Sequence, residues 1–339
     1  MKLSKLFACF GVVLTILLAG ATSCAGPIND LDFFRGKTVT IIVPHGEGGM
    51  DTYARMIAPY LQKYLPGSKV EVQNVPEGGG ITGRNQIYAA QPDGLTLGFT
   101  TGAGALLAEW AGQSGVQYKT AEFSYIGRIN VEAHIMVVSP KTGFTNLNDI
   151  IRAKKISMGF AGVGSDDYYV ALIAARLLGY QAEARTEFVG INDASLACVR
   201  GDVDAILFSD SSVHSQIEAQ TVIPVVSFSE ARSSDHPNVP TIYEVIPEDR
   251  RALMQTLIQI YALERTMIAP PNMPASRLKT LRDALDKVMA EPEFQENMAK
   301  IKRPVNYLTG AETDKLLKNI MLNEAQIKPL VFEIAQSSR

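Results

Sequence analysis

The pattern of apolar and polar positions is clearest over residues 39–61. Val39, Ile41, Ile42 and Val43 form a short apolar run, which Gly46, Gly48 and Gly49 interrupt. Tyr53, Ala54, Met56, Ile57, Tyr60 and Leu61 then recur at helical spacing. The pattern predicts a strand, a glycine-rich turn and a helix capped by Asp51, running to about residue 64 and stopped by Pro66-Gly67. Glycines let a backbone bend tightly and approach a ligand. The unpaired N–H groups of a first helical turn, with the helix dipole, attract negative groups. Such a unit is a candidate cradle for a carboxylate or phosphate; the alternative is a tight connection that serves only the fold.

The same grammar recurs. A strand over 70–75 ends in Pro76-Glu77-Gly78-Gly79-Gly80, and a helix starts near Thr82 and runs to Ala90. A strand over 95–100 ends in Thr101-Gly102-Ala103-Gly104 and is followed by a helical pattern to Trp110. Three strand–turn–helix units in succession predict a parallel sheet with its turns along one edge. Residues 123–138 read as extended, and a helix over 147–154 starts from Thr145 or Asn146. A strand over 156–160, the turn Gly162-Val163-Gly164-Ser165, and a helix over 166–178 with Ser165 as N-cap and Gly179 after its end open a second α/β unit. Strands over 184–189, 203–208 and 223–228, with a helix over 193–200, continue it; the second of these strands ends in Ser209-Asp210-Ser211-Ser212. The apolar stretch 254–269 predicts a strand returning to the first unit, and helices over 276–289, 293–300 and 311–335 close the chain. In the last helix Leu316, Leu317, Ile320, Met321 and Ile327 form a stripe expected to be core.

The chain has 339 residues, room for two ordinary domains, with 46% apolar and 20% charged residues. A net charge of −3 gives no basic patch, so a nucleic-acid partner is not expected. At the start, Lys2 and Lys5 precede an apolar run over 7–18 and then small residues, the pattern of a secretory signal peptide over 1–23. The run Ala21-Thr22-Ser23-Cys24 is similar to a bacterial lipobox, with Ala21 where Leu is usual, and makes Cys24 a candidate lipidation site. Ordinary cleavage after Ser23 or at Gly26 is the alternative. Residues 24–36 then read as a linker. Cys198 alone would remain in the folded body, in an apolar helical run, as a small buried hydrophobe.

The ordered set Pro44, Gly48-Gly49, Asp51, Ala54-Arg55, the run VQNVPEGGG at 72–80, Pro92-Asp93-Gly94, Gly162, Gly164-Ser165, Gly201-Asp202-Val203-Asp204 and Val239-Pro240-Thr241 resembles one family. It is that of the solute-binding proteins of tripartite tricarboxylate transporters, the Bug or TctC family. The resemblance covers residues 33–335. It implies a type II periplasmic-binding-protein fold, a Venus flytrap of two α/β domains joined by two crossing strands. Domain 1 would hold residues 37–135 and 253–339, and domain 2 residues 136–252. It also implies a small carboxylate ligand, in some members an amino acid, held in the cleft by backbone N–H groups and hydroxyls, directly or through water. By position, the contacts fall on Gly46, Glu47, Gly48, Gly49, Asp51, Gly79, Gly80, Thr100 and Thr101 of the first domain. In the second they fall on Gly164, Ser165, Asp166, Gly190 and Ser209. The partners implied are membrane permease subunits, and the expected state is a monomer in the periplasm, held by lipid at Cys24.

The chain departs from the family pattern at Glu47 and Glu77, where acids stand in the expected turns. If they face the cleft, they favour a cationic or hydrogen-bond-donating ligand end; the alternative is that both point to solvent. His45 and Glu47 lack further ligands at metal spacing, and the histidines at 134, 214 and 236 are scattered, so neither metal nor cofactor is expected. The turns lack the Lys-Ser/Thr of a P-loop and the third glycine of a dinucleotide fingerprint. Ser165 is not in a nucleophile elbow, so an enzyme is not expected. Arg84 and Arg128 are candidates to give direct charge to an anionic ligand, with exposure at the surface the commoner fate and the expectation here, and of Tyr168 and Tyr169 one is expected at the pocket and one inside. A sensory binding protein that presents its liganded form to a receptor is the other functional class. A neighbouring gene for a permease or for a sensor separates the two.

Overall fold

The computed structural model describes residues 30–163, 165–233 and 235–337. The expected signal peptide over 1–23, the candidate lipidation site Cys24 and the turn residue Gly164 lie outside the described residues. The chain opens with α1 (Leu31–Phe34), whose Phe34 is fully buried, while Asp30 bonds Thr280 and Arg277. The expected linker therefore gives way to packed structure by residue 30.

The first half runs β1 (Thr38–Val43), α2 (Gly49–Tyr64), β2 (Lys69–Asn74), α3 (Ile81–Ala89), β3 (Thr96–Thr100), α4 (Gly102–Trp110) and β4 (Ser124–Arg128). A first crossing leads to β5 (His134–Val138), α5 (Leu147–Ala153), β6 (Lys155–Gly159), α6 (Asp166–Leu178), β7 (Gln181–Arg185), α7 (Ile191–Arg200), β8 (Ala205–Ser209), α8 (Asp210–Glu218), β9 (Ile223–Phe228) and α9 (Ile242–Val245). The return passes through α10 (Arg251–Tyr261) to β10 (Thr266–Ala269), α11 (Ala275–Ala290), α12 (Pro292–Lys300), β11 (Leu308–Thr309), α13 (Gly310–Met321) and α14 (Glu324–Ser337).

The strands form two sheets, in the orders β11-β4-β10-β3-β1-β2 and β7-β6-β8-β5-β9. Leaving out β11, the two sheets share one plan. Three parallel strands are followed by one inserted antiparallel, β10 in the first sheet and β5 in the second, each delivered by a crossing between the sheets. This is the two-lobed flytrap architecture. The edge strands β2 and β7 alternate between exposed and half-buried positions, whereas β5 and β8 are buried throughout. One core fills the space between the first sheet and α2, α11 and α12, and a smaller one lies under α7 and α8. The largest core joins the lobes through α4, α6, α10 and α14. Twelve of the thirteen residues of α6 are buried, so this helix has no solvent face to display.

Four local expectations are corrected. Helix α2 begins at Gly49 with Gly48 as N-cap, and Asp51 lies inside its first turn, bound to Arg55 at 2.9 Å. Helix α3 is capped by Gly80 in the left-handed conformation, not by Thr82. The stretch 254–269 is a helix and then a strand; only its end, β10, returns to the first sheet. The last helix is two, α13 and α14. Its stripe is core as expected, with Leu317, Ile320 and Ile327 buried.

Leu257, fully buried on α10 in the core that joins the lobes, tests that packing. Leu257→Ala is expected to lower the free energy of unfolding in urea by about 2–5 kcal/mol. Leu322→Ala, at a site 82% exposed, is expected to stay within about 0.5 kcal/mol of wild type.

Candidate functional site

The turns at the carboxyl ends of the strands face one another across the gap between the lobes. Two adjoining cavities of about 20 Å³ each lie there, closed on both sides by protein. The outer one is lined by Gly46 to Met50 and Gly79 of the first lobe and by Ala161, Ser165, Gly190 and Ile191 of the second. The inner one adds Thr101, Asp166, Asp167, Ser209, Glu264 and Arg265, with both His45 and His134. Each cavity has room for about one water molecule, so a ligand of several heavy atoms requires the lobes to part.

The lobes meet here backbone to backbone. A β-carbon on Gly46 would stand 2.5 Å from the Val189 carbonyl oxygen, and one on Gly162 would stand 2.6 Å from Gly79 Cα. Gly162 also has φ +123°, a conformation that side chains rarely adopt. The starts of α2, α4, α6, α7 and α8 border these cavities, presenting first-turn N–H groups and the positive ends of five helix dipoles. Thr101 caps α4 by accepting from the Gly104 N–H at 2.8 Å, and Ser165 caps α6 by accepting from the Tyr168 N–H at 3.3 Å.

The inner end is dense in ionisable groups. Arg265 is buried, with Nη1 2.6 Å from Glu264 and also paired to Glu132, and Nη2 donating to Ser209 Oγ at 2.9 Å. Burial alone would lower its pKa; Glu132 and Glu264 outweigh burial and hold it raised. Burial likewise pushes Glu264 up to about 8, with Arg265 opposing, and raises Asp166. Asp167 is pushed well above the usual carboxylate range by burial and by its neighbour Asp166. His45 and His134 are driven down to about 3, first by burial and then by nearby arginines. His134 Nε2 stands 3.3 Å from Asp167 Oδ1, and burial works against the charged form of both groups, so it opposes an ion pair here. His45 Nε2, His134 Nδ1 and Asp166 Oδ2 are enclosed without a hydrogen-bond partner.

Most residues carried over by position meet in this place. Gly46, Glu47, Gly48, Gly49, Gly79, Thr101, Ser165, Asp166, Gly190 and Ser209 line the two cavities. Asp51 is turned to Arg55 and Asn74, Gly80 lies behind Pro44, and Thr100 accepts from Arg84 Nε at 3.0 Å; none of these three is in the lining. The side chains of Glu47 and Glu77 are exposed, so the acids of the cleft are Asp166, Asp167 and Glu264 instead. Arg84 and Arg128, expected at the surface, are both buried, and Tyr168 and Tyr169 are both inside. The sequence pattern does not single out Asp167, Glu264 or Arg265, and it weighs His134 only as a metal ligand. The signal for Glu264 and Arg265 was a charged pair set directly before the apolar run of β10.

The titrations set a pH dependence of stability. In the fold Glu264 keeps until about pH 8 a proton that an unfolded chain releases near 4.5, so stability falls as pH rises through that window. The histidines act in the opposite sense, and only between about 3 and 6.5. Between pH 6.5 and 8 the acids set the trend. Urea unfolding free energy is therefore expected to decline from pH 6.5 to 8, and Glu264→Gln to flatten that decline.

A family profile described as tripartite tricarboxylate transporter family receptor matches residues 53–332. Over 282 residues the chain is 28% identical to a UPF0065 protein from the TAR-I ttuE–ttuC′ intergenic region of Agrobacterium vitis, an overlap of 80% of this chain and 76% of that protein. Among solved structures, the periplasmic binding protein BugD superposes with a TM-score of 0.72 at 22% identity, over 89% of this chain and 98% of that one. MatC from Rhodopseudomonas palustris, with bound malate, gives 0.72 at 20% identity, over 89% and 100%. With the profile spanning nearly the whole described fold, the chain belongs to the TctC family of tripartite tricarboxylate transporter receptors.

Proposed function

We propose that this receptor works outside the cytoplasm as a monomer, captures a small organic carboxylate between its lobes and presents it to the permease subunits of a tripartite transporter. The observation that carries the reading is the convergence of helix starts from both lobes on one closed cleft. Each such N-terminus contributes on the order of 0.5–2 kcal/mol toward a bound anion in a partly buried geometry. The ligand carboxylate lies among the turns of α2 and α7. Its other end reaches Asp166, Asp167, Glu264 and the unpartnered nitrogens of His45 and His134. That end favours a hydroxyl or an ammonium over a second carboxylate, because each acid there already resists ionisation. Hydroxy acids and amino acids therefore lead; the malate of MatC belongs to the first of these classes.

Closure follows from the same geometry. A ligand that touches both lobes shifts the population to the closed form by its extra contacts there, and the permease reads that closed surface. The chain crosses between the sheets twice, after β4 and after β9, and these crossings are the hinge.

A thermal-shift screen of organic acids, amino acids and sugars tests the ligand class. A true ligand at a hundredfold excess over its dissociation constant is expected to stabilise by about 2.7 kcal/mol, with compaction in small-angle scattering. Stabilisation by sugars alone would overturn the carboxylate reading. Gly46→Ala sets a methyl against the Val189 carbonyl across the cleft. It is expected to weaken that ligand at least tenfold, about 1.4 kcal/mol, while leaving unliganded stability unchanged.

The proposed lipid anchor rests on the run at 21–24. Intact mass of protein purified from its host is expected to show a chain beginning at an acylated Cys24. An unmodified N-terminus elsewhere would refute it.

A further inference from the structure

A second cluster of ionisable side chains lies on the other side of the lobe junction, in a groove that shares no lining residue with the two cleft cavities. Asp210 opens α8 and His214 follows one turn later, so both project from the same helical face. His236 arrives from the segment after β9 and is buried. One donor atom from each of the three falls within 4.8 Å of the others. Asp210 Oδ1 is 3.1 Å from His236 Nε2 and 4.0 Å from His214 Nδ1.

We infer that Asp210, His214 and His236 form a binding site for a divalent transition metal of the zinc type. Two imidazoles and one carboxylate suit Zn²⁺ and its spectroscopic substitute Co²⁺, with water from the groove in the fourth position. The surroundings orient the donors. His214 Nε2 stands 3.1 Å from Glu218 Oε1 and 3.2 Å from Lys302 Nζ, which itself pairs with Glu218 at 2.9 Å; this pair fixes the outer edge of the ring and leaves Nδ1 turned toward Asp210. Ser233 Oγ donates to Asp210 Oδ2 at 3.4 Å, leaving Oδ1 turned toward the imidazoles. The simpler arrangement, an Asp–His hydrogen bond alone, needs only His236. It does not account for a second imidazole on the next helical turn whose Nδ1 faces the same carboxylate oxygen.

The test uses untagged full-length protein freed of metal by a chelator. Calorimetric titration with Zn²⁺ is expected to show one saturable equivalent, weakened at least tenfold in His214→Ala and in His236→Ala. Zinc X-ray absorption on the wild-type protein is expected to show two imidazole ligands with oxygen donors, a readout that does not depend on the variants folding. Absence of a saturable equivalent, unchanged binding in both variants, or a spectrum without imidazole scattering would overturn the assignment.

Discussion

Arg265 stands fully buried where the returning chain enters the first sheet, with Glu264 beside it, Glu132 of the first crossing against it, and Ser209 at the head of α8 accepting from it. Its guanidinium also lies over the Tyr53 ring, 4.7 Å from the centroid. Burying such an ion costs several kcal/mol, and its pairing offsets that cost only if the geometry is kept. The ion cluster is thus weak ground for stability and strong ground for specificity. It is satisfied only when both crossings and the second lobe are in register. Glu132 extends the constraint outward, accepting the Ser211 N–H at 2.8 Å, while Arg303 donates to the Ser211 carbonyl at 2.7 Å. The relative placement of the lobes in this closed arrangement follows from that network.

The charge balance of the cleft follows from the same point. Helix starts supply positive potential without side chains, and Arg84 and Arg265 add two buried cations. Between such cations, and cut off from water, the histidines stay neutral. The acids are excess negative charge in a dry place, and burial holds them toward the protonated form. A protonated carboxyl can donate to a ligand oxygen, and it can give up its proton to accommodate an ammonium. The inner end is therefore adjustable, whereas the turns that surround it are not.

How much of this was legible in the sequence depends on how local the cause was. Helix α6 was readable to the residue because Ser165 caps it, Gly179 ends it and every signal lies within the element. Strand β9 was readable for the same reason. Asp51 misled because a good capping residue also serves inside a first turn, where it found Arg55 and Asn74. Residues 254–269 misled because a helix buried on one face and a short buried strand together make one apolar run. Arg84 and Arg128 were placed outside because composition says where arginines usually go, and no spacing rule shows the carbonyls and hydroxyls that hold these two. The glycine turns of the site were visible as a motif. Of the acids at its inner end, Asp166 came with the turns, but Asp167 and Glu264 did not, because Glu264 reaches the second lobe only through the crossings.

The cleft closes glycine to backbone, at Gly46 against Val189 and at Gly162 against Gly79. A wall made of main chain offers the same N–H groups whatever the neighbouring side chains are, so the anion-binding end of the proposed site does not depend on the side chains of its turns. Glu47 stands in one of these turns with an exposed side chain, and the turn still lines the cavity. In the proposed site, side chains enter at Asp166, Asp167, Glu264 and the two histidines, and selectivity is assigned there. In the proposed reading, recognition of the carboxylate and choice among carboxylates are carried by different parts of the molecule, and substitutions at the inner end would change the guest without disturbing closure.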